Sequence, residues 1–210
     1  MNKLRAVTVV GLAFGLVLSV SPNLQARGSK PASTAPGTYK QWGPDIDEIE
    51  ILKTFKISDY DTIAVKPFDT SSTPMPEKDD RSYNSIKTVL DSYTETLIEG
   101  LRGELKAHAK VEQSSGTTKG AKTLIVRGKV ESLSPGSRAK RYVGGFGAGA
   151  SGTKISGDLV DAASGKVLAH FTQERRSAGS FKFAGGSDQQ VMRDSIHAAA
   201  EDIAHILDAF

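Results

Sequence analysis

The chain has 210 residues, 21 glycines, 8 prolines and no cysteine. Lys and Arg total 27 against 24 for Asp and Glu, a formal charge of +3. With no thiol there is no disulfide framework, Cys-based zinc site, cysteine nucleophile or lipid-bearing Cys, and so balanced a charge argues against a nucleic-acid-coating protein.

Residues 1–26 read as a secretory signal. Lys3 and Arg5 precede an apolar run from Ala6 to Val20, then Pro22 and a small residue, Ala26. The run falls short of the ~20 residues that span a bilayer. The expectation is export to the periplasm or envelope, with cleavage near Ala26 and no transmembrane span in the mature form. Cleavage removes two bases and no acid, lowering the charge from +3 to +1.

Residues 27–44 read as a flexible tether. The stretch is rich in Gly, Ser, Thr and Pro and has little to bury. Trp42, the only Trp, marks where packing begins. Residues 45–210 read as a single domain. Asp45–Lys53 alternates acids with Ile and Leu, which fits either a short helix or an edge strand. Thr62–Phe68 is β-branched and apolar, a strand with Pro67 near its end or at an exposed edge.

A long helix is expected over Ser82–Ala107, with Ile86, Val89, Leu90, Tyr93, Leu97, Leu101 and Leu105 on one face. Gly100 and Gly103 weaken it near its end and permit close packing. Val111–Ala121 reads as a loop, and Thr123–Leu133 as a strand with a bulge at Gly128. Lys154–Val160 and Lys166–Gln173 read as a hairpin turned at Asp161–Gly165. A final helix over Asp188–Phe210 is capped by Ser187, with Gln190 at the capping-box position. Its expected buried stripe is Met192, Ile196, Ala199, Ile203, Ile206, Leu207 and Phe210. The order predicts an α+β or α/β fold: a mainly antiparallel sheet of about four to five strands, covered by two long amphipathic helices.

The motifs that suggest chemistry fail their own structural tests. Gly147 to Gly152 spells a literal G-x-G-x-x-G, but a strand follows where a dinucleotide site needs a helix. Thr153 stands where a P-loop needs Lys. The glycines read instead as a tight bend or a close backbone approach. His197, Glu201 and His205 share one face of the last helix. That face is expected to point away from the buried stripe into solvent, a poor place for a metal centre. Ser151 has no second glycine for a nucleophile elbow, and neither His108 nor His170 has a foreseeable Ser and Asp partner. No catalytic residue, cofactor or metal ligand is assigned.

The segments Gly136–Gly149 (GSRAKRYVGGFGAG) and Asp161–Leu168 (DAASGKVL), with Gly-Gly-Ser-Asp before the final helix, resemble the bacterial domain-of-unknown-function 4410 family of envelope proteins. The resemblance spans about Tyr60 to Leu207. It implies a secreted or lipoprotein domain, a fold similar to small α/β domains of envelope assembly proteins, and no established catalytic residues. Many relatives look like lipoproteins; this chain lacks their Cys.

The expected function is a non-catalytic, envelope-associated interaction module. Its contact surface would comprise Arg138, Arg141, Tyr142, Phe146, Gly147 and Gly149, with Phe181 and Phe183 of a second loop. Expected partners are unidentified envelope proteins, not nucleic acid, and self-association is left open. The rival is a small-anion binder or enzyme with a cleft beside the glycine segment, where Arg138, Lys140 or Arg141 holds the ligand.

Overall fold

The computed structural model describes residues 32–43, 46–114, 122–136, 151–176 and 187–210. The signal segment lies outside them. Among the described residues no helix is long and apolar enough to cross a membrane.

The fold is α+β. Among the described residues seven strands form one mixed sheet: β1 (Gly37–Trp42), β2 (Ile46–Ile51), β3 (Thr62–Val65), β4 (Lys110–Gln113), β5 (Thr123–Ser134), β6 (Gly152–Asp161) and β7 (Val167–Arg176). Their order across the sheet is β1-β2-β7-β6-β5-β3-β4. β3 runs parallel to both β4 and β5, and the other neighbours are antiparallel. The expected sheet of four to five strands was therefore too small. The extra strands come from both flanks of the β5–β7 meander.

Two of these come from the N-terminal side. Gly37–Trp42, within the stretch read as a tether, is the outer strand β1. Ile46–Ile51 is strand β2, and β1 covers its outer side, so β2 is not the edge. Ile46, Ile49 and Ile51 are buried while Asp47, Glu48 and Glu50 are exposed. Trp42 is buried too. Its indole N–H donates to the Ser33 carbonyl at 2.7 Å, and its ring stacks on Phe210 at 6.1 Å. Gly43 turns the chain between the strands at φ +63, where a glycine is favoured.

A third strand, β4, lies at the start of the expected Val111–Ala121 loop. β3 reaches β4 through two helices, α1 (Tyr83–Asp91) and α2 (Tyr93–Glu104). The single long helix expected here is broken at Ser92, with φ −107 and ψ 12. The Ser92 hydroxyl donates back to the Thr88 carbonyl at 3.3 Å, a bond that bends helices. The apolar periodicity runs through the break, so the stripe alone does not reveal it. Among the described residues three helices thus pack on the sheet, not two: α1, α2 and α3 (Asp188–Asp208). A short 3-10 turn, Ile57–Asp59, precedes β3.

All three helices lie on one face, over a continuous core that includes Ile63, Val65, Leu97, Leu124, Val126, Ile155, Leu159 and Ile203. Two glycines shape that face. Gly128 and Gly157 are paired across β5 and β6, and Cβ atoms added there would lie 2.7 Å from the Phe68 ring and 2.6 Å from the Phe171 ring. The bulge expected at Gly128 sits instead between Val130 and Ser132, and Gly128 stays in register.

Candidate functional site

The β5–β6 and β7–α3 connections carry every residue of the expected contact surface. Arg138, Arg141, Tyr142, Phe146, Gly147, Gly149, Phe181 and Phe183 all lie outside the described residues, as does Lys140. The described residues do fix where the two connections leave the sheet. Gly152, the first residue of β6, pairs with Ser134 at the end of β5 and with Arg176 at the end of β7. Three neighbouring strand ends therefore anchor both connections.

That end of the sheet is held by buried polar contacts. Ser151 is fully buried: its hydroxyl donates to the Val191 carbonyl at 2.8 Å and bonds the Ser195 hydroxyl at 2.9 Å. It is a structural link from β6 to α3, not an exposed nucleophile. Thr153 shares a 2.8 Å hydrogen bond with the buried Tyr93 phenol, whose pKa is pushed up by burial. Ser187 caps α3 by accepting from the Gln190 N–H at 3.2 Å. The Gln190 side chain does not reach back to complete the capping box; it donates to Asp194 at 2.8 Å.

A second polar group escaped the sequence reading. Asp202, on α3, is fully buried. Gln173 donates to it at 2.6 Å, and Arg175 grips both its oxygens through Nε at 2.6 Å and a second guanidinium nitrogen. Gln173 also accepts from the Asp47 N–H at 2.8 Å. One carboxylate thus ties α3 to β7, and through Gln173 to β2. In the sequence Asp202 interrupts an apolar helix, and that was the available signal.

The His197–Glu201–His205 flank of α3 does not simply face solvent, as was expected. α2 crosses it: a Cβ at Gly100 would lie 2.8 Å from the Ala200 side chain and 2.9 Å from His197 Nδ1. Gly100 lets the helices approach there, whereas Gly103 has open space around it. Among the described residues no group of three His, Asp or Glu side chains is placed to hold a metal.

The face of the sheet away from the helices has a small apolar cluster at one end, Ala64, Ile125 and Val160 with Ala162 and Val167, and charged side chains over the rest. A groove of about 610 Å³ crosses it, lined by Lys66, Arg127, Lys129, Asp158, His170 and Thr172 among others. Asp158 bonds Arg127 Nε at 2.9 Å and His170 Nδ1 at 2.7 Å. Lys154 reaches Glu131 at 3.1 Å, and this bond holds the Glu131 carboxyl below its ordinary pKa. His170 thus has an Asp partner after all, delivered by strand register and invisible as a sequence motif. A smaller cleft of about 370 Å³ opens beside Gly136 and includes Pro74, Pro76, Asp80, Arg81 and Asp188.

The fold has distant likenesses. The chain is similar to the PelC dodecamer from Paraburkholderia phytofirmans, at 14% identity over 74% of this chain and 96% of that one, with a TM-score of 0.44. It is similar to a homolog of the neuraminyllactose-binding hemagglutinin from Helicobacter pylori, at 14% identity over 74% and 89%, TM-score 0.37. A DUF330 protein from Xanthomonas campestris gives 10% identity over 70% and 81%, TM-score 0.37. No curated protein matches the chain in sequence. The family model named Domain of unknown function (DUF4410) matches residues 61–179, more than half of the sequence and the whole run from β3 to β7. The chain belongs to the DUF4410 family.

Proposed function

We propose that the protein is a non-catalytic, exported module of the cell envelope. It holds a partner protein through the β5–β6 and β7–α3 connections, with Phe146, Tyr142, Phe181 and Phe183 as apolar anchors and Arg138 and Arg141 beside them. The observation that carries this reading is the shared register of Ser134, Gly152 and Arg176, which roots both connections on adjacent strands. Aromatic anchors and arginines gathered in one patch are the composition that dominates binding energy at protein interfaces. Residues 1–26 supply the export signal, and Glu131, Ser151 and Asp202 belong to structural contacts, not to a reacting group.

In-cell cross-linking of the tagged protein tests the proposal. A single dominant envelope product, lost on Phe146→Ala together with Phe181→Ala while the melting temperature holds, is the expected result. A cross-linking pattern unchanged by the double substitution overturns it. The rival reading, an anion site beside the glycine segment, meets two carboxylates, Asp80 and Asp188, and one base, Arg81, in the described lining of that cleft. A melting temperature that climbs with the concentration of one anion in a panel would favour that rival.

A further inference from the structure

The open face of the sheet is charged in an ordered way. Two register rows cross the four strands β2, β7, β6 and β5, and a third spans β7 and β6, with the uncharged Ser132 as its β5 neighbour. The first reads Glu50, His170, Asp158, Arg127. The second reads Glu48, Thr172, Ser156, Lys129. The third pairs Glu174 of β7 with Lys154 of β6. In each row the charge inverts about the line between β7 and β6. An acid on one side matches a base at the same distance on the other, and the two hydroxyls of the second row match each other.

Within one chain Arg127 and His170 pair with Asp158, Lys129 and Lys154 with Glu131, and Glu174 with Arg176; Glu48, opposite Lys40 of β1, and Glu50 are the charges of the rows left without an ion pair among the described residues. β2 and β5 are three strand spacings apart, about 14 Å. That exceeds the screening length of ~8 Å at physiological salt. Among the described residues neither Glu48 nor Glu50 has an ion-pair partner within 4.0 Å.

We infer that this face pairs with the same face of a second copy of the chain, about a two-fold axis lying along the strands between β6 and β7. A two-fold axis in that direction swaps the two sides of each row and keeps its height. Glu50 of one copy then faces Arg127 of the other, His170 faces Asp158, Glu48 faces Lys129, and Glu174 faces Lys154. Every contact occurs twice, as an isologous interface requires. The short Thr172 and Ser156 side chains sit nearest the axis, where the sheets come closest. Aligned sheets pack about 10 Å apart, a gap that Glu, Lys and Arg side chains bridge from both sides. The four strands, of 6, 10, 10 and 12 residues, offer about 600 Å² per copy. That is below the ~800 Å² of a standard interface, so the dimer is reversible and sensitive to salt.

Analytical ultracentrifugation of the purified protein tests this directly. At low salt the wild type forms a dimer that dissociates as salt rises. Glu48→Lys and Lys129→Glu, each alone, place like charges together twice per dimer and weaken self-association by at least about tenfold. Mixed in equal amounts, the two variants form a heterodimer, because each reversed charge meets its reversed partner. Both residues are on the exposed face, and unchanged melting temperatures confirm that folding is intact. A wild type that stays monomeric at every salt and protein concentration overturns the proposal and leaves the face to an unlike partner. So does self-association that neither variant weakens, since the interface then lies elsewhere.

Discussion

Along β6 the two sides of one strand obey different physics. Ile155, Gly157 and Leu159 lie under the helices, where each position is set by volume. Lys154, Ser156 and Asp158, their alternating neighbours, face the open side, where position is set by charge. The packed side resists any change of size but has little use for sign. The open side tolerates changes of size and is sensitive to sign. A strand that serves both is therefore constrained at every residue, for alternating reasons.

The sharpest way to break this contrast is to truncate one residue of each kind. Leu159→Ala, in a fully buried site, should lower unfolding free energy by about 3–4 kcal/mol. Lys154→Ala, five residues away on the same strand, should change it by no more than about 0.5 kcal/mol. Urea denaturation of both variants decides the matter. A comparable loss for Lys154→Ala would mean that the open face is part of the stabilising core.

Asp202 is the exception on the packed side, so it sharpens the contrast. Its carboxylate is fully buried while the Arg175 side chain retains 28% exposure. Asp202→Ala should cost about 2–3 kcal/mol, because the hydrogen bonds of Arg175 and Gln173 lose a charged acceptor. Replacing Arg175 with Met in the same chain should recover part of that loss. If the double variant is no more stable than Asp202→Ala, the pair is not coupled and the carboxylate acts through Gln173 alone.

The smallest expected effect lies at the margin of the core. Burial, and then the Asp161 carboxylate, push the Tyr60 phenol up to about 12. A raised phenol stabilises the fold fully below its ordinary value of about 10, and that contribution is lost as pH climbs through 12. Tyr60→Phe should therefore flatten the alkaline decline of the melting temperature relative to wild type. Asp161 works in the opposite sense. Its bond from the Ser164 hydroxyl holds the carboxyl below the usual range, so its contribution is present above that range and fades only in acid.

Local features of the fold were legible in the sequence. The Asp161–Gly165 turn announces itself, and the structure closes it with the Ser164 N–H donating to Asp161 at 2.7 Å and Gly165 at φ +69. The Ser187 cap and the stripe of α3 were equally plain. Features that depend on distant pairing were not. β2 could be read as helix or strand because its partner, β7, lies far along the chain; Ile49 pairs with Phe171, 122 residues on. The break at Ser92 is set by a hydroxyl turning back onto its own helix. The Arg127–Asp158–His170 cluster exists only once the register of three strands is known. Of the expected contact surface, the sequence suggested the residues, and the register supplies the common root of the two segments that hold them.

The β2–β7 pairing also orders events in time. The β5–β6–β7 meander is built from neighbours in sequence and can assemble locally, whereas β2 must close a loop of more than 100 residues to reach β7. During that interval β7 presents an unpaired edge, the kind of template on which chains add to one another. The β1–β2 hairpin is made first and needed last. How quickly it finds β7 sets how long the unfinished sheet stays open to the wrong strand.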